Sequence, residues 1–294
     1  MIAAAVMERP YGERGGRVAL ASKKLSASEI GKHAFIWLIL FFSFFPLYVM
    51  LNISFKTNAQ FNLNPLNFVF PLHFENWAIA WNLVKDYIFN TVFVAMSAVA
   101  LTFCFTIPAA FFFARYKAPG STALWYFFLI LMLMPGVANL IPLFMVMKNL
   151  HLLNSLFALI ILGIAGAQVV QIYILRNFIE EIPKDLFDAA EIDGAGPIRQ
   201  IINIVIPMSG SIVSTLAILQ FIGVWNDFIM PMVLIRDDKL LTLAAGLVKL
   251  DGEYVKLWGQ MMAGYTISSI PLVLIFVFTM RLFVKGLSSG AVKG

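Results

Sequence analysis

Two groups of residues carry the chemistry available to this sequence. The first lies in DAAEIDGAGPIRQIINIVIP, from Asp188 to Pro207. Asp188, Ala189, Ala190, Asp193 and Gly194 combine acids with side chains too small to obstruct a partner's backbone. Their chemistry is recognition rather than bond making: the small residues permit close approach, and the carboxylates offer charge-assisted hydrogen bonds. The second group is scattered through apolar stretches: Asn139, Gln168, Gln171, Trp225, Asn226 and Asp227. Amides, a carboxylate and an indole suit a hydroxyl-rich solute, and the same groups bond one membrane helix to another. Both readings stand. Asp227 is an acid near the outer end of an apolar run, either a functional group or a partly hydrated interfacial acid.

Other chemistries have no support. The sequence contains no GxxxxGK[ST], so it does not bind ATP through a P-loop. His33, His73 and His151 do not have metal-ligand spacing. No Ser or Cys sits in a recognisable nucleophile context. Cys104 lies alone in an apolar run and reads as a small packing residue. A net charge of +5 follows from where Lys and Arg sit in a membrane protein, and it does not imply nucleic acid.

The elements that position these groups must lie in lipid. Of 294 residues, 61% are hydrophobic and only 13% charged, with mean hydropathy +0.86. A soluble fold of this size cannot hide so much apolar surface, so the sequence reads as an all-α polytopic membrane protein. Six spans of near-bilayer length are expected, at about 34–54, 87–114, 122–147, 155–175, 206–230 and 260–284. Residues 1–30 read as a cytoplasmic tail, with a weak capping box at Ser26 to Glu29. Residues 31–294 form the membrane domain. With the N-terminus inside, 14 of the 21 Lys and Arg fall in inner segments and 7 in outer loops, which sets both termini in the cytoplasm. Pro108, Pro135, Pro142, Pro231 and Pro271 lie within or beside the apolar runs, which suits kinked helices around a path and also occurs in purely structural bundles.

The loop at about 176–205 is then the long polar element on the inner side. Pro183 is placed to be the first residue of a short helix ending at Gly194. Leu186, Phe187 and Ala190 share its apolar face. Pro197 opens a return helix with Ile198, Ile201, Ile202 and Val205 on one stripe; Arg199, Gln200 and Asn203 face elsewhere, and Pro207 ends it. Short helix, tight turn and return helix together resemble a docking knob.

At these residues the sequence resembles binding-protein-dependent ABC importer permeases. DAAEIDGA followed by IVIP looks like their Glu-Ala-Ala loop. IPKDLFDAAEIDGAG, FIGVWNDFIMPMVLI and the terminal RLFVKGLSSGAVKG are similar to the carbohydrate-uptake subfamily, the smaller maltose permease included. The resemblance covers the chain from about residue 30 onward. It implies a type I importer fold and a coupling helix that enters a cleft on a cytoplasmic ATPase, with contacts at Asp188, Ala189, Ala190, Asp193 and Gly194. Asp188 stands where the family usually has Glu, one methylene shorter. The resemblance also implies a second, different permease, two ATPase subunits that hold ATP and Mg, an extracytoplasmic solute-binding protein and a sugar substrate, in the bacterial inner membrane. This chain itself would need no cofactor and would not be an enzyme. Trp225, Asn226, Asp227, Asn139, Gln168 and Gln171 become residues of the solute path.

Two alternatives differ in kind. An ion-coupled secondary transporter would work without an ATPase and needs deeper ionisable residues than this sequence offers. A non-catalytic membrane scaffold would carry no solute.

Overall fold

The computed structural model describes residues 27–116, 118–133, 139–253 and 256–291, and all regular elements among them are helical. Backbone contacts separate two units, Met1–Leu47 and Tyr48–Gly294. The described part of the first unit is most of α1 (Ala27–Ser54), which exposes Phe35, Trp37, Phe41, Phe42 and Phe44. Side chains of that kind need lipid as solvent.

The second unit holds the remaining elements. In chain order these are α2 (Asn58–Leu63), α3 (Glu75–Arg115), α4 (Ser121–Met132), α5 (Leu140–Asn149), α6 (Leu156–Glu180), α7 (Lys184–Ile192) and α8 (Pro197–Gln200). A π turn (Ile201–Val205) and α9 (Ile206–Met208) continue α8. Then come α10 (Gly210–Asn226), α11 (Ile229–Leu234), α12 (Leu243–Glu253) and α13 (Trp258–Ala291). Its centre is the parallel pair α3 and α6. Gly163 faces Ala98 so closely that a Cβ on the glycine would stand 3.0 Å from the alanine's. Membrane helices, which gain no hydrophobic drive from meeting, pack closely through small residues of this sort. The register continues downward, with Arg176 Nε donating to Phe113 O and Arg115 Nη2 to Ile179 O. One core cluster joins Ala80, Val84 and Ile88 to Phe221, Trp225 and Ala263. Another, at the opposite end, joins Ala110, Phe111, Leu175, Ile179, Phe187 and Val205.

Among the described residues four helices are long and apolar enough to cross a membrane, and counting the bent pair at α8–α10 as one span makes five. The expected third span appears as two short apolar helices, α4 and α5, on either side of residues 134–138, which lie outside the described residues together with Pro135 and the box at Ser26. Helix α3 starts at Glu75 rather than 87. Residues 75–86 carry charges and read as loop, yet Ala80, Val84 and Ile88 recur every fourth position and bury one stripe. Trp77 and Trp81 therefore stand on helix turns. The fifth span starts at Gly210, after a 79° bend, rather than at 206. Pro207 does not end the return helix. Ile206 N–H reaches back five residues to Ile201 O, and this wider π register accommodates a proline that lacks its own N–H. Cys104 is exposed on α3, so the packing role expected of it is not observed.

Candidate coupling surface and solute path

Helix α7 is closed at both ends by its own sequence. Pro183 is the cap residue (φ −52°, ψ 131°), one position earlier than expected, and the helix runs Lys184–Ile192. At the other end Gly194 takes φ +76°, a left-handed turn that glycine adopts without cost. Its N–H donates to Glu191 O at 3.0 Å, and Ala195 N–H donates to Ala190 O at 2.8 Å. That two-bond closure stops the helix sharply and sends the chain back toward α8.

One side chain holds α7 to the bundle. Phe187 is 5% exposed and its ring lies 6.0 Å from that of Phe111. The Arg115 guanidinium sits 3.9 Å over the Phe187 ring while Nη2 donates to Ile179 O (2.9 Å) and Ile182 O (2.6 Å). A cation on the last carbonyls of α6 suits the negative end of that helix, and its face-on contact with the ring adds a cation–π attraction. Leu186 does not share the buried face; it is 45% exposed. Asp188, Ala189, Asp193 and Gly194 are all exposed, and Ala190 is half-buried. Lys184 Nζ lies 3.7 Å from Asp188, a solvated pair of little energetic weight. Ile192, 87% exposed, joins this face. Sequence reading missed it, although a large apolar residue off the Leu186–Phe187–Ala190 face was the available signal. A cleft of about 940 Å³ beside the helix is lined by Arg115, Tyr116, Phe187, Asp188, Gly194 and Gln200.

The return helix turns a different face inward from the one its spacing suggested. Val205 is fully buried and Ile201 and Ile204 pack on the same cluster, while Ile198 and Ile202 are exposed. Gln200 is buried and donates to Ala195 O at 3.1 Å. The π turn adds a residue to one turn and so rotates the stripe.

Of the expected path residues, the structure brings two together. Asn139 and Asp227 line one cavity of about 550 Å³, between α5, α6 and the end of α10. Asp227 Oδ1 also accepts the N–H groups of Ile229 (3.0 Å) and Met230 (3.3 Å), which caps α11. Thr242 lines the same cavity, 2% exposed, and its hydroxyl has no partner among the described residues. The sequence gave no reason to single it out, because its place depends on the fold of the 228–242 segment. The other four lie elsewhere. Trp225 is core, stacked on Phe221 at 5.5 Å. Asn226 donates to Ile222 O on its own helix at 2.9 Å. Gln171 bonds Gln220 between helices at 2.9 Å. Gln168 is half-buried outside the cavity lining.

The far end of the bundle is tied by backbone carbonyls. Lys56, 1% exposed, donates through Nζ to Asn64 O (2.8 Å), Pro65 O (3.1 Å) and Asn67 O (2.6 Å). Burial pulls its pKa below the ordinary lysine value, and hydrogen bonds to the charged form oppose that pull. Asn76 Nδ2 donates to Ser54 O and Lys56 O, both at 3.0 Å. Asn154 Oδ1 accepts from Arg236 N–H and Asp237 N–H, and Asn90 donates to Lys239 O and Leu241 O. Thr57 and Gln60 form a complete capping box on α2.

Residues 106–289 match the family described as binding-protein-dependent transport system inner membrane component. The chain belongs to this family. The chain is also similar to proteins that it covers over most of their length. A probable ABC transporter permease, YurM of Bacillus subtilis, is 31% identical over 92% of this chain and 91% of its own. The arabinooligosaccharides transport system permease AraQ of Halalkalibacterium halodurans is 29% identical, covering 87% and 93%. The sulfoquinovosyl glycerol transport system permease SmoH of Agrobacterium fabrum is 31% identical, covering 85% and 89%. Among solved structures, a bacterial ABC transporter involved in the import of the acidic polysaccharide alginate superposes with TM-score 0.77 at 20% identity, covering 94% of this chain and all of the other. That likeness fixes the fold. The chain is thus a multi-pass inner-membrane permease component with the architecture of ABC importers.

Proposed function

We propose that the chain forms half of the translocation path of an ATP-driven carbohydrate importer. Its partner in the membrane is a second, different permease. Two cytoplasmic ATPase subunits hold ATP and Mg and press on α7, and an external solute-binding protein delivers the sugar. Residues 1–30 form a cytoplasmic tail and 31–294 the permease domain, with both termini and the 176–205 loop on the cytoplasmic side. The sugar passes the cavity holding Asn139 and Asp227. Relatives that carry arabino-oligosaccharides and melibiose, raffinose or stachyose support a carbohydrate.

The observation that carries this reading is the build of α7. Its acids and small residues stand outward, while a single buried ring fixes it to α3 and α6. ATP-driven closure of the ATPase dimer displaces α7, and the spans rock between inward and outward access. Replacing Asp188 by Lys reverses one charge on an exposed face. The expected result is roughly tenfold weaker association with the ATPase and unchanged thermal unfolding of the spans. Co-purification from native membranes measures the first, and ATPase binding equal to wild type would remove α7 from the coupling role. Transport by the isolated chain without ATP would establish the ion-coupled alternative instead.

A further inference from the structure

Three spanning helices meet at one polar point. Gln171 on α6 donates through Nε2 to Gln220 Oε1 on α10 at 2.9 Å. Gln220 Nε2 donates in turn to Thr102 Oγ on α3 at 2.7 Å and to Gly163 O on α6 at 3.2 Å. Thr102 Oγ donates to Ala98 O at 2.7 Å. Thr102, Gln171 and Gln220 are 0%, 4% and 8% exposed. No ionisable group enters this network, and the side chains of Thr102, Gln171 and Gln220 line none of the cavities described above.

Its position is informative. Gly163 and Val224, the latter one turn beyond Gln220, line the cavity that holds Asn139 and Asp227. In the other direction, Leu175 and Ile179 follow Gln171 on α6 and pack in the cluster that holds Phe187. Helix α10 continues from the return helix through the 79° bend. The network thus lies between the coupling surface and the cavity, on the three helices that join them.

Hydrophobic burial gives apolar helices in lipid little preference for one axial register over the next, because lipid and neighbour are equally apolar. A side-chain hydrogen bond has a fixed length and direction and does select a register. We propose that Gln220 is a positioning residue. It locks α10 axially against α3 and α6, so that displacement of α7 reaches the cavity without slippage. This inference rests on the coupling role proposed for α7.

The test uses the transporter purified with its native partner subunits, in a Cys104→Ser background. The double variant Gln171→Leu/Gln220→Leu removes both amides together, so neither is left buried and unpaired, and its thermal unfolding stays near wild type. Spin labels at Met96 on α3 and Leu219 on α10, both exposed, report the register. A cysteine at Val146, which lines the cavity, reports access through its labelling rate by a membrane-impermeant maleimide, with and without Mg·ATP·vanadate. Wild type gives a narrow Met96–Leu219 distance distribution and nucleotide-dependent labelling. The double variant is expected to retain its ATPase but to broaden the distribution and lose the nucleotide dependence. A double variant with wild-type width and wild-type nucleotide response overturns the register lock. Loss of nucleotide dependence in the wild-type background itself would overturn the coupling reading on which it rests.

Discussion

The two ends of the helical bundle are built on opposite principles. At the end that the proposed orientation places outside, side chains reach across sequence to bind backbone: Lys56 holds three carbonyls, Asn154 two amides, Asn90 two carbonyls. A segment fixed through its backbone at several points cannot shift without breaking several bonds at once. At the end that orientation places inside, α7 and the return helix rest on Phe187, Val205, Ile201, Ile204 and the buried Gln200, and most of their remaining surface is exposed. Few buried contacts and much exposed surface mark a low-stability, movable element. The outer end is a frame, and the inner end is a movable part.

This contrast can be broken in order of expected effect. Gly259→Ala attacks the frame. A Cβ there would stand 2.1 Å from Lys56 O and 2.4 Å from Asn76 Nδ2, and backbone on one side leaves nothing to yield. A loss of more than about 3 kcal/mol is expected, spread over the outer loops, measured by thermal unfolding and limited proteolysis. Phe187→Ala attacks the movable part. It should cost about 3 kcal/mol, confined to residues 184–205, seen as faster amide exchange there while α3 and α6 keep their protection. Exchange that rises equally along α3 would show that the inner end is not a separate unit. Gly194→Ala is the mildest. At φ +76°, with open space around the Cβ position, it should cost about 1 kcal/mol, read as fraying of the last turn of α7.

The sequence disclosed the parts whose physics is local. Proline and glycine at both ends of α7, and an apolar residue every fourth position, follow from a few neighbouring residues. Helix α3 was legible only from 87 onward, because Glu75, Lys85 and Asp86 hide a buried stripe that Ala80, Val84 and Ile88 continue. Lys56 gave no warning, since its partners are carbonyls of a loop whose course depends on the rest of the fold. Gln220 is a lone amide in an apolar run and was not singled out, because its partners, Thr102 and Gln171, are distant in sequence. The same holds for Thr242, while Trp225 looked like a ligand-facing aromatic and is core.

The length of α3 has one more consequence. At 41 residues it is a rod of about 61 Å, with Phe111 and Arg115 touching the inner part near one end and Asn76 gripping the frame near the other. A tilt of about 5° about its midpoint would sweep each end through an arc of about 2.7 Å, given the usual helical rise. In the importer proposed above, a stroke at α7 no longer than one hydrogen bond would therefore move the far end of α3 by a comparable distance.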